Sequence, residues 1–323
     1  MDWLKPVFPA PLHVAVLLGG DSAERDISLG SGAAVSRAIA DQGHQVTQID
    51  PAETNPESVD WQDVDIAFLA LHGTFGEDGG IQEILERRGI PFTGSNSTTS
   101  RLAFGKSAAK ERFAACSVPT PRSTRIARTD QREQIAARAA AIGFPVVVKP
   151  DAQGSSLGVT VVHNDQTLPQ AVKHCFTIAE NGLIEKAIDG SEWTLGVVDN
   201  DPLPLIQIHT SRRFFDYQAK YEDNATSYLF DTPIDSSTRS RIAAAGLAAC
   251  RALGTRGIAR ADIMLDASGQ PWVLEVNTIP GMTDHSLVPK AAARTGLALG
   301  ELCDIVISRT LTRQAAQKLR DAS

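Results

Sequence analysis

Residues 259–281 read ARADIMLDASGQPWVLEVNTIPG, and this stretch decides the fold assignment. Two runs of β-favouring residues flank Ser268-Gly269, which is a typical two-residue hairpin turn. The sequence therefore predicts a β-hairpin that is symmetric about this turn. The predicted cross-strand pairs are 260 with 277, 262 with 275, and 264 with 273.

The side chains of this hairpin separate into an apolar and a polar face, because strand side chains alternate. Asp262 and Glu275 lie directly across the pair, where like charges repel unless a cation lies between them. Oxygen ligands with positions left for phosphate suit Mg²⁺, so one hypothesis is a metal site. The alternative is a solvated face on which Arg260 bridges the acids, and the hairpin alone does not decide. The apolar members are Ile263, Leu265, Trp272, Leu274 and Val276, and the polar members are Arg260, Asp262, Glu275 and Asn277.

The length and charge of the chain limit its class. A chain of 323 residues exceeds what one hydrophobic core organises, so we expect two or three domains. Its 42% hydrophobic and 21% charged residues are ordinary for a soluble globular protein. The net charge of -7 argues against nucleic-acid or membrane partners, so an anionic ligand must be held by local lysines.

The cysteines and the apolar runs indicate a cytoplasmic protein. The four cysteines lie far apart and form no Cys-x-x-Cys, which predicts reduced and mostly buried thiols. The amino terminus lacks the apolar core of a signal peptide, and no apolar run approaches the ~18 residues of a spanning helix.

The order of predicted elements is that of an α/β protein. A buried strand from residue 13, a helix over ISLGSGAAVSRAIADQG and the strands HQVTQID and DIAFLALHG begin a doubly wound domain. A helix near GIQEILERRG and a short strand IPFTG complete it, and one helix is predicted over 100–116. The predicted domains are 1–101, 102–191 and 192–323.

The stretch VVVKPDAQGSSLGV has the composition of a phosphate-binding loop. A buried strand delivers Lys149, and residues 153–158 offer backbone N–H groups and hydroxyls with little bulk. The lysine precedes the glycines, so this is not the Walker pattern, and a plain hairpin turn is the alternative. Lys106 on the preceding helix is either a second phosphate contact or a solvated charge.

Other polar residues sit at strand ends, each with a structural alternative. Glu185, Lys186 and Glu192 could contact an adenine amino group and a ribose, or lie on the surface. Glu24 follows a strand and two glycines, where an acid could hold an amine or cap a helix. His72 heads a glycine-rich loop and could instead be a structural histidine.

Seven motifs in order resemble the D-alanine-D-alanine ligase family of ATP-grasp enzymes, from about residue 13 to residue 310. The resemblance implies three α/β domains, with ATP held between the sheets of the second and third. It also implies ATP-dependent joining of two D-alanine molecules through an acyl phosphate, for peptidoglycan precursor synthesis. The motifs are LLGGDSAERDIS, ALHGTFGEDG, VVVKPDAQGSSLG, LIEKAIDGSEW, DYQAKY, ARADIMLD and LEVNTIPGMTDHSLVP.

The resemblance implies roles for the nucleotide-side residues. Two Mg²⁺ ions, for which Mn²⁺ can substitute, would be held by Asp262, Glu275 and Asn277. This chain has Gly105 where the family often has an acid before the helical lysine. The implied ATP contacts are Lys106 and Lys149 to phosphates, Glu185 and Lys186 to adenine, Glu192 to ribose, and Lys220 to the transferred phosphoryl group.

The resemblance also implies an amino-acid site. Arg260 and the backbone N–H of Gly281 are candidate oxyanion donors, and the polar stretch 212–232 is the natural lid. The implied D-alanine contacts are Glu24 to the amine with His72 nearby, Ser155 and Tyr221 across the closed site, and Ser286 with Leu287 for the second carboxylate.

Two rival functions stay open, and one partner is expected. A D-alanine-D-lactate ligase would make an ester, although Lys220-Tyr221 favours the dipeptide-forming enzymes by resemblance. A non-catalytic small-molecule binding protein would show no ATP turnover. The resemblance implies a homodimer.

Overall fold

The computed structural model describes Trp3, residues 5–209 and residues 227–321, and the strands in this part form three sheets. In the first, β1 (His13–Leu17) pairs in parallel with β2 (Gln45–Ile49) and β3 (Ile66–Leu69). The predicted parallel α/β start is thereby confirmed. The helices that follow β1 and β3 are α1 (Arg25–Asp41) and α2 (Gly80–Arg87).

The predicted strand IPFTG is wrong, because it is reduced to a single bridge between Ala67 and Phe92. The Ala67 N–H donates to the carbonyl of Pro91 at 2.7 Å, and its carbonyl accepts from Thr93 at 2.9 Å. Gly94 then takes a left-handed φ of 94°, which turns the chain away from the sheet.

The single helix predicted over 100–116 is also wrong, because Gly105 divides it into α3 (Ser97–Phe104) and α4 (Lys106–Ala115). Asp151, from the loop after the Lys149 strand, satisfies the first turn of α4. Its carbonyl accepts the Lys106 N–H at 2.9 Å, and its carboxylate accepts the Ser107 N–H at 2.7 Å. The new helix start fixes the position of Lys106, since Gly105 itself has extended backbone.

The second sheet is antiparallel and has one core face. Its apolar residues pack with the two helices of this segment into one buried cluster. The opposite face carries alternate side chains of the same strands, including Lys149 and Glu185. The elements in sheet order are β4 (Ser123–Ala127), β7 (Asn181–Lys186), β5 (Val146–Pro150) and β6 (Thr160–Val162), with α5 (Arg132–Ile142) and α6 (Leu168–Ile178).

The third sheet is antiparallel and contains the opening hairpin. Gly246 of the long helix behind the sheet lies against Leu195 and Ile263, which lets the helix approach closely. The carboxy-terminal helix packs along α1, so the last segment joins the first domain. The elements are β8 (Gly190–Val198), β9 (Asp201–Pro202), β10 (Ile206–His209), β11 (Ser227–Leu229), α7 (Ser236–Leu253), β12 (Ile258–Asp266), β13 (Pro271–Asn277), α8 (Leu287–Ala293) and α9 (Leu299–Asp321).

The hairpin deviates from the predicted pairing twice, and the two deviations cancel. The Asp266 N–H donates to Gln270 at 3.1 Å, so three residues form the turn, with Gly269 at a φ of +78°. This shifts the register by one, and the predicted pair 264 with 273 is wrong because Met264 faces Trp272. A bulge at Leu274 shifts it back, so the pairs 262 with 275 and 260 with 277 are confirmed.

The bulge also changes which side chains face the core. Val273 is fully buried in the core, whereas Leu274 and Glu275 both line a cavity on the opposite face. The indole N–H of Trp272 donates to Asp266 at 2.8 Å. The prediction that Trp272 and Leu274 belong to the core face is therefore wrong, because an extra residue reverses the alternation between the bulge and the turn.

Two expectations from composition have a structural counterpart. All four cysteines are free thiols, with Cys116 exposed and the other three buried, as predicted. Within residues 5–209 and 227–321, no helix combines the length and apolar character needed to cross a bilayer.

The domain boundaries at 101 and 191 stay predictions. The helix α3 crosses the first boundary, and the strand β8 crosses the second.

The packing of α1 on the first sheet can be tested with Gly32→Ala. A Cβ there would lie 2.2 Å from the Leu18 Cβ, so we expect a loss of about 1–3 kcal/mol of unfolding free energy, measured by urea denaturation. Gly30→Ala is the matched control in the same helix. It is exposed with 3.6 Å of clearance, and helix propensity should make it neutral or about 0.5–1 kcal/mol stabilising. Equal effects at both positions would contradict the packing.

Candidate active site

A cavity of about 690 Å³ separates the second sheet from the third. Val147 and Val161 line one wall, and Met264 and Leu274 line the other. Two apolar walls with polar groups at one end suit an aromatic base attached to a charged chain. The predicted site residues that line this cavity are Lys106, Lys149, Glu185, Lys186, Glu192, Asp262 and Glu275.

Lys106 joins the phosphate-type loop to the acidic hairpin. Its ammonium donates to the Gln153 carbonyl at 2.7 Å and lies 3.1 Å from a Glu275 carboxylate oxygen. Burial disfavours the ammonium, but the charge and hydrogen bond of Glu275, together with the charges of Asp151 and Glu77, outweigh burial and raise the pKa of Lys106. Lys106 therefore carries a positive charge at the cavity.

Glu185 lies between two buried lysines. Lys149, at the end of β5, donates to one carboxylate oxygen at 2.8 Å, and the ammonium of Lys110 lies 2.5 Å from the other. Burial favours the neutral acid, but the two ammonium groups outweigh it and lower the pKa of Glu185. Sequence reasoning missed Lys110, although its spacing of four from Lys106 places both on one helix face.

Lys186 and Glu192 lie further along the same cavity. The Lys186 ammonium donates to the carbonyls of Gly143 and Phe144, at 2.9 and 3.1 Å. Its methylene stem therefore crosses the cavity wall while its charge is held by main-chain oxygens.

The loop after Lys149 reaches across to the first domain. Ser155 and Ser156 have φ angles of +52° and +56°, a left-handed conformation that non-glycine residues adopt at a cost. The Ser155 hydroxyl donates to a carboxylate oxygen of Glu24. A Cβ at Gly154 would lie 2.2 Å from the other Glu24 oxygen, so a larger residue there would have to displace the Glu24 carboxylate.

Glu24 presents a carboxylate oxygen that no donor of the described residues satisfies. The residue is 6% exposed, and its Oε2 has no hydrogen-bond partner among the described residues. Such a buried acceptor fits a cationic amine.

Sequence reasoning missed Glu77, a neighbour of Glu24. Its carboxylate accepts the Gly73 N–H at 2.8 Å. Burial and the Glu24 charge raise the pKa of Glu77 to about 8. The sequence feature that could have identified Glu77 is its position in the glycine-rich loop that begins at His72.

His72 connects the first domain to the loop after the hairpin. Its Nε2 lies 3.0 Å from the Ser31 hydroxyl, and its ring also bonds to the Ile279 carbonyl. The Ser31 oxygen in turn accepts the N–H of Met282 at 3.2 Å. Burial lowers the pKa of His72 to about 4, so the imidazole is neutral at pH 7.

The two hairpin acids are each paired with a cationic side chain. Arg260 donates to both oxygens of Asp262, at 2.8 and 2.6 Å, while Lys106 pairs with Glu275. The oxygens of Asp262 also accept from Thr194 at 2.8 Å and Asn277 at 3.2 Å. Four donors therefore occupy the four lone-pair directions of this carboxylate.

A metal set on this hairpin would consist of two carboxylates and one amide. Among the described residues, no group of three or more His, Cys, Asp or Glu gathers around one point. The donors are nevertheless all oxygens: Asp262 and Glu275 line the large cavity, and Asn277 lines a small neighbouring one together with Lys106 and Glu275. This chemistry fits a hard cation that takes further ligands from phosphate and water.

The remaining predicted residues lie near the start of α8 or outside the described part. Ser286 precedes α8, and its hydroxyl accepts the Thr283 N–H at 3.0 Å. A Cβ at Gly281 would lie 2.7 Å from that hydroxyl, and Leu287 is buried. Lys220 and Tyr221 fall outside the described residues.

Two facing sheets that enclose a lysine-lined and acid-lined cavity define the ATP-grasp class of ligases. Solved structures share this fold over nearly the whole chain. A D-alanine–D-alanine ligase from Bacillus anthracis complexed with ATP matches with a TM-score of 0.80 and 30% identity, covering 95% of this chain and 99% of its own. VanG D-Ala:D-Ser ligase from Enterococcus faecalis matches with a TM-score of 0.82 and 28% identity, covering 93% of this chain and 100% of its own.

The particular family follows from sequence comparison. Residues 47–95 match the D-ala D-ala ligase N-terminus model, and residues 115–308 match the C-terminus model. A D-alanine–D-alanine ligase of Gloeobacter violaceus is 40% identical over 93% of this chain and 100% of its own. One from Ectopseudomonas mendocina is 43% identical over 90% and 92%. The chain belongs to the D-alanine–D-alanine ligase family.

The buried neutral state of His72 predicts an acid-dependent loss of stability. Its folded pKa of about 4 lies below the unfolded value of 6.5, so its contribution is complete above pH 6.5 and is lost as pH falls toward 4. Between pH 7 and pH 5 the parent should lose roughly 2 kcal/mol more unfolding free energy than His72→Gln. Urea denaturation at both pH values measures this difference. Parallel losses in the two proteins would show that His72 titrates normally.

Proposed function

We propose that this protein joins two D-alanine molecules into D-alanyl-D-alanine at the expense of ATP, as a step in peptidoglycan precursor synthesis. One observation carries the proposal: the cavity between the two sheets combines Lys106 and Lys149 with the acids Asp262 and Glu275. The same loop that follows Lys149 contacts Glu24, whose free oxygen suits an amine. Phosphate, metal and amino-acid chemistry thus meet at one place.

The cavity suggests the orientation of ATP. The adenine would lie between the apolar walls, near Glu185 and Lys186, and Glu192 would bond the ribose. The triphosphate would extend toward Lys106 and Lys149, whose charges oppose those of the phosphates.

Asp262, Glu275 and Asn277 would hold two Mg²⁺ ions, or Mn²⁺ in their place. When bound, these ions neutralise phosphate charge and stabilise the transferring phosphoryl group. The four donors on Asp262 imply that a hydrogen bond, such as one from Arg260, must lengthen to admit a metal.

In the proposed first step, a carboxylate oxygen of the first D-alanine attacks the γ-phosphorus of ATP. The bond from the γ-phosphorus to the β,γ-bridging oxygen breaks, and ADP leaves. Glu24 would bind the amine of this D-alanine through its unsatisfied oxygen, with neutral His72 and Ser155 completing the pocket. Positioning and charge stabilisation are the main contributions of the protein.

In the proposed second step, the neutral amine of the second D-alanine attacks the acyl carbon. After a tetrahedral intermediate the carbon–oxygen bond to phosphate breaks, and inorganic phosphate leaves with the proton that the attacking nitrogen gives up. Arg260 and the Gly281 N–H would stabilise the oxyanion, and Ser286 with Leu287 would cradle the second carboxylate.

Closure over the acyl phosphate is part of the proposal, since water would hydrolyse this intermediate. The segment 212–232 would form the lid, with Tyr221 locking it and Lys220 binding the transferred phosphoryl group. We further propose a cytoplasmic homodimer, as the family resemblance suggests.

Product analysis tests the function directly. With ATP, Mg²⁺ and equimolar D-alanine, D-serine and D-lactate, we expect D-alanyl-D-alanine as the main product at neutral pH, with ADP and phosphate released in equal amounts. Depsipeptide or a D-serine product in excess would move the chain to a neighbouring specificity. Absence of amino-acid-dependent phosphate release would favour a binding module instead.

The metal role of the hairpin predicts the effect of Glu275→Gln. The variant should fold normally, because side-chain volume is unchanged, but lose turnover by about 100-fold, because the charge at the metal falls. Coupled ADP release measures turnover, and circular dichroism checks the fold. Glu133→Gln, an exposed residue of α5, is the control and should keep normal turnover. Near-normal activity of Glu275→Gln would reject the metal assignment.

A further inference from the structure

Lys110 is a buried lysine to which the proposed reaction assigns no role. It is 4% exposed and does not line the nucleotide-sized cavity, unlike Lys106, Lys149 and Glu185. A buried ammonium costs free energy unless hydrogen bonds and an opposite charge compensate it. Its contacts therefore indicate what it is for.

Lys110 contacts the floor of the cavity, by which we mean the buried pair Glu185 and Lys149. Its ammonium lies 2.5 Å from the Oε2 of Glu185, and Lys149 donates to the Oε1 of the same carboxylate at 2.8 Å. Glu185 is 2% exposed. Lys149 lines the cavity and Lys110 does not, so Lys149 approaches this carboxylate from the cavity side and Lys110 from behind it. Two positive charges and one negative charge leave this floor with a net positive charge.

A second set of bonds fixes the position of Lys110. Its ammonium donates to the Thr120 hydroxyl at 2.7 Å, and that hydroxyl donates to the Val273 carbonyl at 2.8 Å. The Val273 N–H in turn donates to the Pro119 carbonyl at 2.8 Å. The link between α4 and β4 thus lies along β13, immediately before the bulge that presents Glu275.

We propose that Lys110 is a positioning residue for ATP, which acts by neutralising Glu185 from behind so that the charge of Lys149 stays available to the nucleotide. This inference rests on the proposed function, since it assumes that ATP occupies the cavity. Without Lys110, Glu185 and Lys149 would form a closed one-to-one pair, and the floor would lose its net positive charge. Lys110 makes no contact with ATP itself in this arrangement.

The consequence is a coupling between Lys110 and Glu185 in nucleotide binding. In the parent background, Lys110→Met should weaken ATP binding by at least about 10-fold, because it leaves a buried carboxylate short of one partner. In a Glu185→Gln background the same change should alter ATP binding less than about 2-fold, since no charge is left to neutralise. A purely structural role would give equal effects in both backgrounds.

The experiment is a double-mutant cycle of the full-length chain, with ATP and Mg²⁺ as the probe in calorimetry. The four proteins are the parent, K110M, E185Q and K110M/E185Q, and KM values for ATP and D-alanine are measured beside the binding constants. We expect the KM for ATP to rise in K110M while that for D-alanine changes less than about 2-fold. Lys110→Arg should recover most of the ATP affinity, because it keeps the charge. Lys173→Met, at an exposed position of α6, is the control for loss of a lysine.

Each outcome of this cycle decides the inference. Additive effects of K110M and E185Q, or unchanged ATP binding by K110M, would overturn it while the proposed function stands. A parent that fails to bind ATP with Mg²⁺ would instead overturn the proposed function. Should K110M alone fail to fold, the comparison of E185Q with K110M/E185Q still decides, because a difference above about 2-fold contradicts action through Glu185.

Discussion

The cavity depends on the compensation of buried and partly buried acids by neighbouring cations. Glu185 is shared by Lys110 and Lys149, Glu275 pairs with Lys106, and Asp262 accepts from Arg260. The helix α4 reaches both sheets through these pairs, because its Lys106 pairs with Glu275 of the third sheet and its Lys110 with Glu185 of the second. An isolated acid at the buried position of Glu185 would cost several kcal/mol of desolvation. Those of the charges that line the cavity, such as Lys106 and Lys149, are the ones that a polyanionic nucleotide would meet.

Two contacts bring the first domain to this cavity. The Ser155 hydroxyl bonds to Glu24, and His72 bonds to the Ile279 carbonyl beyond the hairpin. Glu24 and His72 are both buried, and His72 is neutral at pH 7. In the proposed reaction, an amino acid bound through its amine at Glu24 would therefore lie close to both the phosphate-type loop and the hairpin, where its carboxylate could meet the phosphate of the nucleotide.

Sequence reasoning predicted many of the residues that line the cavity, but not the bulge, the helix break and the buried charges that position them. The motif residues predicted most of the cavity lining, because strand ends and glycine loops are local signals. The alternation rule failed at Trp272 and Leu274, since a bulge depends on packing across strands that the sequence does not display. The helix break at Gly105 was missed because its cause, Asp151, lies over forty residues away in the chain. Lys110 and Glu77 were missed because their local signals, a helical spacing and a place in a loop, fit surface charges equally well, and the sequence does not show that both are buried.

The hairpin contains an added residue in its turn and another at Leu274, and this has an evolutionary consequence. Losing either residue alone would shift the pairing of the two strands by one residue. Side chains that face the core would then face the cavity, and those that face the cavity would face the core. Losing both together would preserve the outer pairs that carry the acids. Length changes at these two places should therefore occur jointly among related chains.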